Sequence, residues 1–244
     1  MPAPRLRDSA RLTTHDLYPL NQFPDDIIHR IGGYLVYLIY IGRKDLSGDD
    51  WGDAFASAID GTHLASPVGI ADVEVGRSCW SMKTVKATNP FNQTTARLIS
   101  GRCSPDYSYG ITDPHEDIQR TGEAVLGIWN ERVNIARDHY SQVRTGVLIR
   151  SPDLSTYVLY EEDTDRVRTT DFEWRVNSNG NLEAYDSTGV HRFTWQPHGS
   201  QFTIIDKVPE RATRFTIRVP ERRLSKEDVL ATLAYDDSWI TIIR

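Results

Sequence analysis

A long amphipathic helix between two predicted strands most constrains the fold of this 244-residue chain. The helix is entered through Asp113 and Pro114, and its preceding and following strands are predicted at 79–86 and 145–149. Its apolar face carries Ile118, Val125, Leu126, Trp129, Val133, Ala136 and Tyr140. A strand, a long helix and another strand in succession form a crossover, which joins parallel strands. We therefore expect an α/β fold with a mixed central β-sheet flanked by helices.

Three short strands are predicted at 63–67, 71–75 and 79–86, separated by glycine-containing turns. Their spacing favours an antiparallel meander. Segment 89–109 is rich in Asn, Gln, Thr, Ser, Arg and Tyr, and we interpret it as a long loop or irregular module. Loops of that length inside compact domains are usually functional.

Two helices are predicted before the meander. Asp25 offers a cap for the first, and we assign the apolar run 34–41 to helix although a buried strand has the same pattern. Ser47 and Asp49 offer caps for the second, at 50–59, where apolar residues recur every four positions. The first ~20 residues lack periodicity and indicate an arm or a poorly ordered lead-in.

The chain after the crossover changes to β-hairpins. Asn179 followed by Gly180 is a strong tight-turn signal between two of their strands. A last helix is predicted at 225–233, before an apolar end at 239–243 that we expect to pack as an edge strand or tail. The hairpin strands are predicted at 173–176, 182–185, 191–195, 202–205 and 214–219.

The chain is expected to form one domain, 1–244, because its length suits one large unit. Its core would lie at about 47–161, and a β-hairpin-rich C-terminal elaboration at about 170–220. The longest apolar run is far shorter than the roughly 20 residues of a membrane helix, and residues 1–12 lack an apolar signal core. We therefore expect a soluble cytoplasmic protein without a membrane partner, in which the two cysteines, Cys79 and Cys103, stay reduced.

Charge distribution points to a local binding surface. The net charge of −6 argues against a protein that coats nucleic acid nonspecifically, since that activity needs many basic side chains. Between Glu74 and Asp106, however, the chain contains no acidic residue. An acid-poor basic stretch beside a carboxylate pair is suited to a phosphate backbone, and the alternative is a solvated basic face. Its positive charges are Arg77, Lys83, Lys86, Arg97 and Arg102.

Acids and a lysine fall on one face of two adjoining predicted strands. Alternate residues of a strand share a face, so Asp72 and Glu74 are expected beside Ser81 and Lys83. Hydrolysis of a phosphodiester needs a divalent cation on oxygen ligands, a nucleophilic water and a nearby positive charge. Asp72, Glu74 and the Met82 carbonyl are candidate metal ligands. Lys83 is the candidate group that orients or activates water, and the alternative is a surface ion pair of small energy.

This pattern resembles the PD-(D/E)XK nucleases, especially type II restriction endonucleases. A helix that carries an acid comes first. It is followed by a strand that begins Gly-Ile-Ala-Asp, where the aspartate is Asp72, and then by a strand that ends Trp-Ser-Met-Lys, where the lysine is Lys83. The sequence departs from the family at Ser81, because the family usually has an acid at this position. Some restriction enzymes of the family also carry serine here and take the missing carboxylate from elsewhere in the fold. The resemblance implies that Glu74 or Glu123 replaces that acid.

The resemblance also implies a restriction-endonuclease-like core, a Mg²⁺ cofactor and double-stranded DNA as substrate. The family's helix acid would be Asp53, a further metal ligand, with Asp50 and Asp49 as second choices. Cutting both strands of a symmetric site is most simply done by a homodimer. The expected activity is thus Mg²⁺-dependent hydrolysis of duplex DNA at a specific sequence, as in a restriction–modification system.

Contacts to DNA are expected from the basic stretch, which the resemblance places close to DNA, and from the polar loop around Pro197 and Gly199. Arginine can read guanine bidentately or hold phosphate, and polar loop side chains can reach base edges. The alternatives are that the arginines brace their own loop and that the polar loop is a structural turn. The candidate DNA-binding residues are Lys86, Asn89, Asn92, Gln93, Arg97, Ser100, Arg102, Ser104, Tyr107, Tyr109, His198, Ser200 and Gln201.

Three other interpretations stay open. A catalytically inactive DNA-binding protein of the same fold would explain Ser81, and a structural or interaction module would bind no duplex. The motif around Tyr34 and Tyr40 is superficially similar to the GIY-YIG nucleases, but the gap is too short for the two paired strands of that family.

Overall fold

The computed structural model of the protein describes residues 17–243, so most of the predicted N-terminal arm lies outside the described residues. Its α-helices are α1 Asp25–Tyr40, α2 Gly48–Ala58, α3 Pro105–Tyr109, α4 Ile118–His139 and α5 Lys226–Thr232. Its strands are β1 Thr62–Val68, β2 Ala71–Val75, β3 Ser78–Lys86, β4 Thr95–Arg102, β5 Gln142–Arg150, β6 Thr156–Asp163, β7 Glu173–Val176, β8 Leu182–Tyr185, β9 His191–Gln196, β10 Gln201–Lys207 and β11 Thr213–Thr216. Short 3-10 helices lie at Pro90–Asn92, Thr169–Asp171 and Asp237–Trp239.

Helix α1 runs unbroken through Gly32 and Gly33, which confirms the helical assignment of 34–41. Pro24 occupies the N-cap position, so the prediction that Asp25 caps this helix is wrong. The helix is held by an apolar face at spacings of three and four residues, which overrides the cost of its two glycines. The buried residues of that face are Ile27, Ile31, Leu35, Leu38 and Ile39. Because the GIY-YIG-like segment forms one helix, the paired strands of that family are absent from it.

Helix α2 is fixed at its start by a capping box. The Asp50 backbone N–H donates to the Ser47 hydroxyl over 3.0 Å, and the Ser47 N–H donates to the Asp50 carboxylate over 2.9 Å. The Ser47 cap is therefore confirmed, whereas Asp49 lies inside the first turn. The Asp50 carboxylate is thus engaged in this cap and in an ion pair with Arg43.

The central sheet is mixed and has six strands in the order β1-β2-β3-β5-β6-β11. Strands β1, β2 and β3 form the predicted antiparallel meander. Strands β3 and β5 pair in parallel along their whole lengths, and α4 lies between them in sequence, so the predicted crossover is confirmed. All but the first residue of β5 are buried, as expected for a strand covered on both faces.

A second, antiparallel sheet has the order β4-β10-β9-β8-β7. It contains four of the predicted hairpin strands together with β4, which lies inside the segment predicted as a loop. That loop prediction is wrong, because Ala96, Leu98 and Ser100 alternate with exposed residues and give β4 a buried face. The fifth predicted hairpin strand, β11, instead pairs with β6 at the edge of the central sheet.

The two faces of the central sheet are covered by different elements. Trp80 and Met82 of β3 pack with α1 and α2 in one buried cluster. Cys79, one residue earlier, packs with α4 and the second sheet in another. Because side chains alternate along a strand, Ser81 and Lys83 lie on the face that carries Cys79. This face holds the candidate catalytic residues.

A buried ionic network lies on the α1 and α2 side of the same sheet. Glu161 accepts hydrogen bonds from Tyr18 over 2.7 Å, from Trp80 over 2.6 Å and from Arg144 over 3.0 Å. Asn21 bonds the backbone of Glu161 at both its N–H and its carbonyl. The network joins β3, β5 and β6 to the chain segment that precedes α1.

The C-terminal end is a tail rather than an edge strand. Helix α5 begins with a capping box between Ser225 and Asp228. After it, Trp239, Ile240, Ile242 and Ile243 are exposed. None of the helices within residues 17–243 is long and apolar enough to cross a bilayer.

Candidate active site

Asp72 and Lys83 converge on the same side of the sheet. The distance from Asp72 Oδ2 to Lys83 Nζ is 3.8 Å. Asp72 Oδ2 also accepts the Met82 backbone N–H over 2.7 Å and lies 3.4 Å from the Ser81 hydroxyl. Lys83 Nζ donates to Ser81 Oγ over 2.9 Å and to the Met82 carbonyl over 3.3 Å. Carboxylate, hydroxyl and ammonium therefore form one connected group across β2 and β3.

Burial controls the electrostatics of Lys83. Its side chain is only 16% exposed, and loss of hydration lowers the pKa of this ammonium below its ordinary value. The Asp72 carboxylate opposes the shift, and the positive charge of Arg132, on α4, adds to it. The ammonium of Lys83 is therefore less well hydrated than that of an exposed lysine.

Irregular pairing of β1 opens a pocket beside this group. Strand β1 pairs with β2 at His63–Val73 and again at Val68–Ala71, with a shift of register between them. Pro67, which lacks a backbone N–H, lies in that stretch, and such irregularities recur next to active sites. The opening, called here the acid–lysine pocket, has a volume of about 280 Å³. Its lining is Gly48, Asp49, His63, Leu64, Ala65, Pro67, Asp72, Met82 and Lys83.

A second pocket of about 370 Å³ continues from the first and shares Gly48, Met82 and Lys83 with it. Its other charged lining residues are Lys86 and Arg97. We call this second pocket the basic groove. Along its length, positive side chains follow directly on the Asp72–Lys83 pair.

Other predicted acids lie apart from the pocket. The Glu74 carboxylate accepts a hydrogen bond from the Tyr140 hydroxyl, and burial together with this bond raises the pKa of Tyr140. Glu123 on α4 accepts a bond from Gln119 over 2.9 Å. Neither acid lines the acid–lysine pocket. Ser81 is buried between Asp72 and Lys83, where its hydroxyl links the two charges.

His63 is a pocket residue that sequence reasoning missed. Its Nδ1 lies 2.7 Å from Asp53 Oδ1, so the acid predicted as a metal ligand is joined to an imidazole instead. Asp53 does not line the pocket, whereas Asp49, from the first turn of α2, does. The only sequence signal was the position of His63 at the start of a predicted strand.

The predicted DNA contacts lie in three places. Lys86 and Arg97 line the basic groove, where Lys86 also pairs with Asp45 over 2.9 Å. Asn92 is the last residue of the short helix Pro90–Asn92, and Asn89 and Gln93 are its caps.

The third group lies where β4 ends. Cys103 N–H donates to the Ser200 carbonyl, and Gln201 pairs with Arg102. This brings the β9–β10 turn, with exposed His198, against the end of β4 and the start of α3. Ser104 caps α3, from which Tyr107 projects into solvent, whereas Tyr109 is partly exposed and its hydroxyl lies close to Gly127 of α4.

Ser100 is a correction to the predicted contacts. Its side chain is buried, and its hydroxyl donates to the Leu98 carbonyl over 3.3 Å. It lies on the inward face of β4, whereas Arg97 and Ile99 face outward. It therefore does not present its hydroxyl to a ligand at the surface.

The pocket lining offers oxygen donors of the type that magnesium binds. Within residues 17–243 no three His, Cys, Asp or Glu side chains form a group that holds a metal on its own. Magnesium is usually bound through one or two carboxylates and keeps several waters. Asp72 Oδ1 accepts no hydrogen bond from a described residue, and the Met82 carbonyl on β3 accepts one from Lys83 Nζ over 3.3 Å. Asp72, the Met82 carbonyl and Asp49 of the pocket lining are the donors that would hold the ion.

No protein-family model matches the chain, and neither a curated protein nor a solved structure matches it.

Proposed function

We propose that this protein is a Mg²⁺-dependent endonuclease that cuts double-stranded DNA at a specific sequence. The observation that carries the proposal is the convergence of Asp72 and Lys83 in a pocket that continues into a basic groove. A carboxylate for a cation, a lysine for a water or a developing charge, and basic side chains for phosphates are what phosphodiester hydrolysis needs.

Each side chain has a proposed task. Asp72 and the Met82 carbonyl would hold the ion, and a bound Mg²⁺ would supply a Lewis acid for the scissile phosphate. Lys83 donates hydrogen bonds to the attacking water or to the phosphate oxygen that gains charge. Its burial strengthens that interaction, because charges interact more strongly where water is excluded.

Lys86 and Arg97 extend the site along the DNA backbone. Their place in the basic groove suits phosphates on either side of the cleaved bond. Base reading is assigned to the outward-facing polar residues at the end of β4 and in the β9–β10 turn. Binding should weaken as salt rises, since phosphate contacts release counterions.

The proposal includes the PD-(D/E)XK family and a homodimer. The order helix, antiparallel meander, helix and parallel strand supports a restriction-endonuclease-like core. Two copies related by a two-fold axis would cut the two strands of a symmetric site. Light scattering of the protein with and without DNA measures this, and a monomer under both conditions contradicts it.

The test is digestion of several sequenced plasmids with Mg²⁺, followed by mapping of the ends. Wild-type protein should give discrete fragments, and Asp72→Ala should lower the cleavage rate by at least about 10²–10³-fold. Asp26→Ala, which removes an exposed acid of α1, is the matched control and should cut normally. Intact plasmids with wild-type protein at every magnesium concentration would contradict the proposal.

A second candidate function is a DNA-binding protein of the same fold that no longer cuts. Ser81 stands where the related nucleases carry an acid, and Glu74, its candidate replacement, is bonded to Tyr140. Retarded migration of duplex DNA without cleavage, unchanged in Asp72→Ala, would favour this function. Failure to bind any duplex at low salt would favour a structural or interaction module.

A further inference from the structure

His63 is held as a functional imidazole is held. Its Nδ1 lies 2.7 Å from Asp53 Oδ1, and its side chain is 22% exposed. A carboxylate on one ring nitrogen fixes the tautomer and the orientation of the ring. Nε2 of His63 makes no hydrogen bond to any residue within 17–243. It is therefore the nitrogen left to exchange a proton with a ligand.

A glycine of α2 makes room for this ring. A Cβ built on Gly52 would lie 2.6 Å from His63 Nε2 and 2.8 Å from Cε1. Any other residue at this position would push the imidazole out of its place. Glycine inside a helix costs about 1 kcal/mol relative to alanine, so the close approach is obtained against helix propensity.

His63 lines the same pocket as Asp72 and Lys83. The other charged groups around it are Asp53 and Asp49 of α2. Lys83 donates hydrogen bonds to Ser81 Oγ and to the Met82 carbonyl. Its assigned role is therefore that of a donor that stabilises negative charge, not that of a proton acceptor. A water activated in this pocket still needs an acceptor for its proton.

We propose that His63, oriented by Asp53, is that acceptor: the general base of the acid–lysine pocket. The inference rests on the proposed endonuclease function and adds a catalytic residue to it. As the water oxygen forms its bond to phosphorus, its proton passes to His63 Nε2. The bond from phosphorus to the leaving oxygen breaks with its electron pair, and that oxygen takes a proton from solvent. His63 then returns its proton to solvent, so the protein is regenerated.

The alternative is structural: the His63–Asp53 contact ties β1 to α2. A chemical rescue experiment distinguishes the two roles. His63→Ala leaves a space of the size of imidazole, and imidazole added to the solution can accept a proton there but cannot tie two elements together. General-base catalysis contributes typically 10²–10⁴-fold in rate.

The experiment measures single-turnover cleavage of duplex DNA by His63→Ala, Gly52→Ala and Lys83→Ala. We expect His63→Ala to lose on the order of 10²-fold or more in cleavage rate with DNA affinity unchanged, and imidazole to restore at least about a tenth of the loss. Gly52→Ala keeps the histidine but displaces its ring, so it should lose rate without loss of thermal stability. His29→Ala, an exposed histidine of α1, is the control.

Two results overturn the inference differently. If His63→Ala cuts within about threefold of wild type, or loses rate that imidazole does not restore, the general base is wrong. The loss of cleavage in Lys83→Ala then still supports the endonuclease. If wild-type protein cuts no DNA, the proposed function and this inference fail together.

Discussion

Two acid–cation pairs on opposite faces of the central sheet have very different surroundings. Arg144 and Glu161 are 3.0 Å apart, with side chains 6% and 0% exposed, and each has further partners. Lys83 and Asp72 are 3.8 Å apart, with side chains 16% and 26% exposed, beside an open pocket. The first pair has its bonding capacity filled by the protein, and the second keeps capacity for a ligand.

This difference shows how a buried charge can be assigned to structure or to function. Burial raises the pKa of Glu161, and Arg144, Tyr18 and Trp80 oppose that rise by contacts to its carboxylate. Such a charge is tolerated only while all these partners stay in place. At Lys83 burial is opposed by one carboxylate and reinforced by Arg132, so the ammonium is held at a cost. Sites that act on ligands commonly keep charged groups that lower the stability of the folded protein.

The largest expected effect is on the filled pair. Arg144→Met leaves the Glu161 carboxylate buried without its cation, which should lower the free energy of unfolding by about 3–5 kcal/mol. Urea denaturation followed by tryptophan fluorescence measures this loss. DNA cleavage by the folded fraction should be retained.

The matched control is Arg175→Met, which breaks an exposed pair with Glu173 on β7. Its denaturation midpoint should not move, because exposed ion pairs are worth little. A small loss in Arg144→Met, similar to that control, would remove the distinction between the two faces.

A smaller effect is expected at Glu162, the neighbour of Glu161 on the other face of β6. Burial, and then the Asp206 carboxylate, raise the pKa of Glu162 to about 7, while Arg192 lowers it. Between the ordinary glutamate pKa and this raised value the folded chain binds the proton and the unfolded chain does not. Stability is therefore lost as pH rises through that window. Glu162→Gln should gain about 1–2 kcal/mol at pH 8 and little at pH 4.

Glu183 provides a control of opposite sign. Although burial raises its pKa, hydrogen bonds from Asn177 and Tyr185 bring it below the usual range. Its carboxylate contributes stability above the unfolded pKa, so Glu183→Gln should lose stability at pH 8. Thermal melts of both variants across pH test the pair, and equal signs would show that local partners do not decide these shifts.

Much of the architecture could be predicted because local patterns survive in it. The crossover followed from the periodicity of α4, and strand alternation brought Asp72 to Lys83. Strand β4 was missed because its buried residues Ala96 and Ser100 are small or polar, so the period of two is weak. His63 was missed because its importance comes from a contact between β1 and α2. In the same way, Glu74 is bonded to Tyr140 rather than placed in the pocket, and the sequence near Glu74 does not show this contact. Such long-range contacts leave no local pattern.

The smallest expected effect concerns the open pair itself. Lys83→Met keeps the length of the side chain and removes a charge that is held in a partly buried place, so it should abolish cleavage and raise stability by about 0.5–1 kcal/mol at pH 7. The folded pKa of Lys83 is below the unfolded one, so between them the unfolded chain binds more protons and wild-type stability rises with pH. The variant lacks that rise, so its advantage in stability over the wild type should shrink as pH approaches the ordinary lysine pKa of about 10.4.

The control is Lys86→Met, at a half-exposed lysine of the same groove, which should gain no stability. If Lys83→Met instead destabilises the protein as strongly as Arg144→Met, Lys83 belongs with the filled pair, because its ammonium would then be a partner that the fold requires.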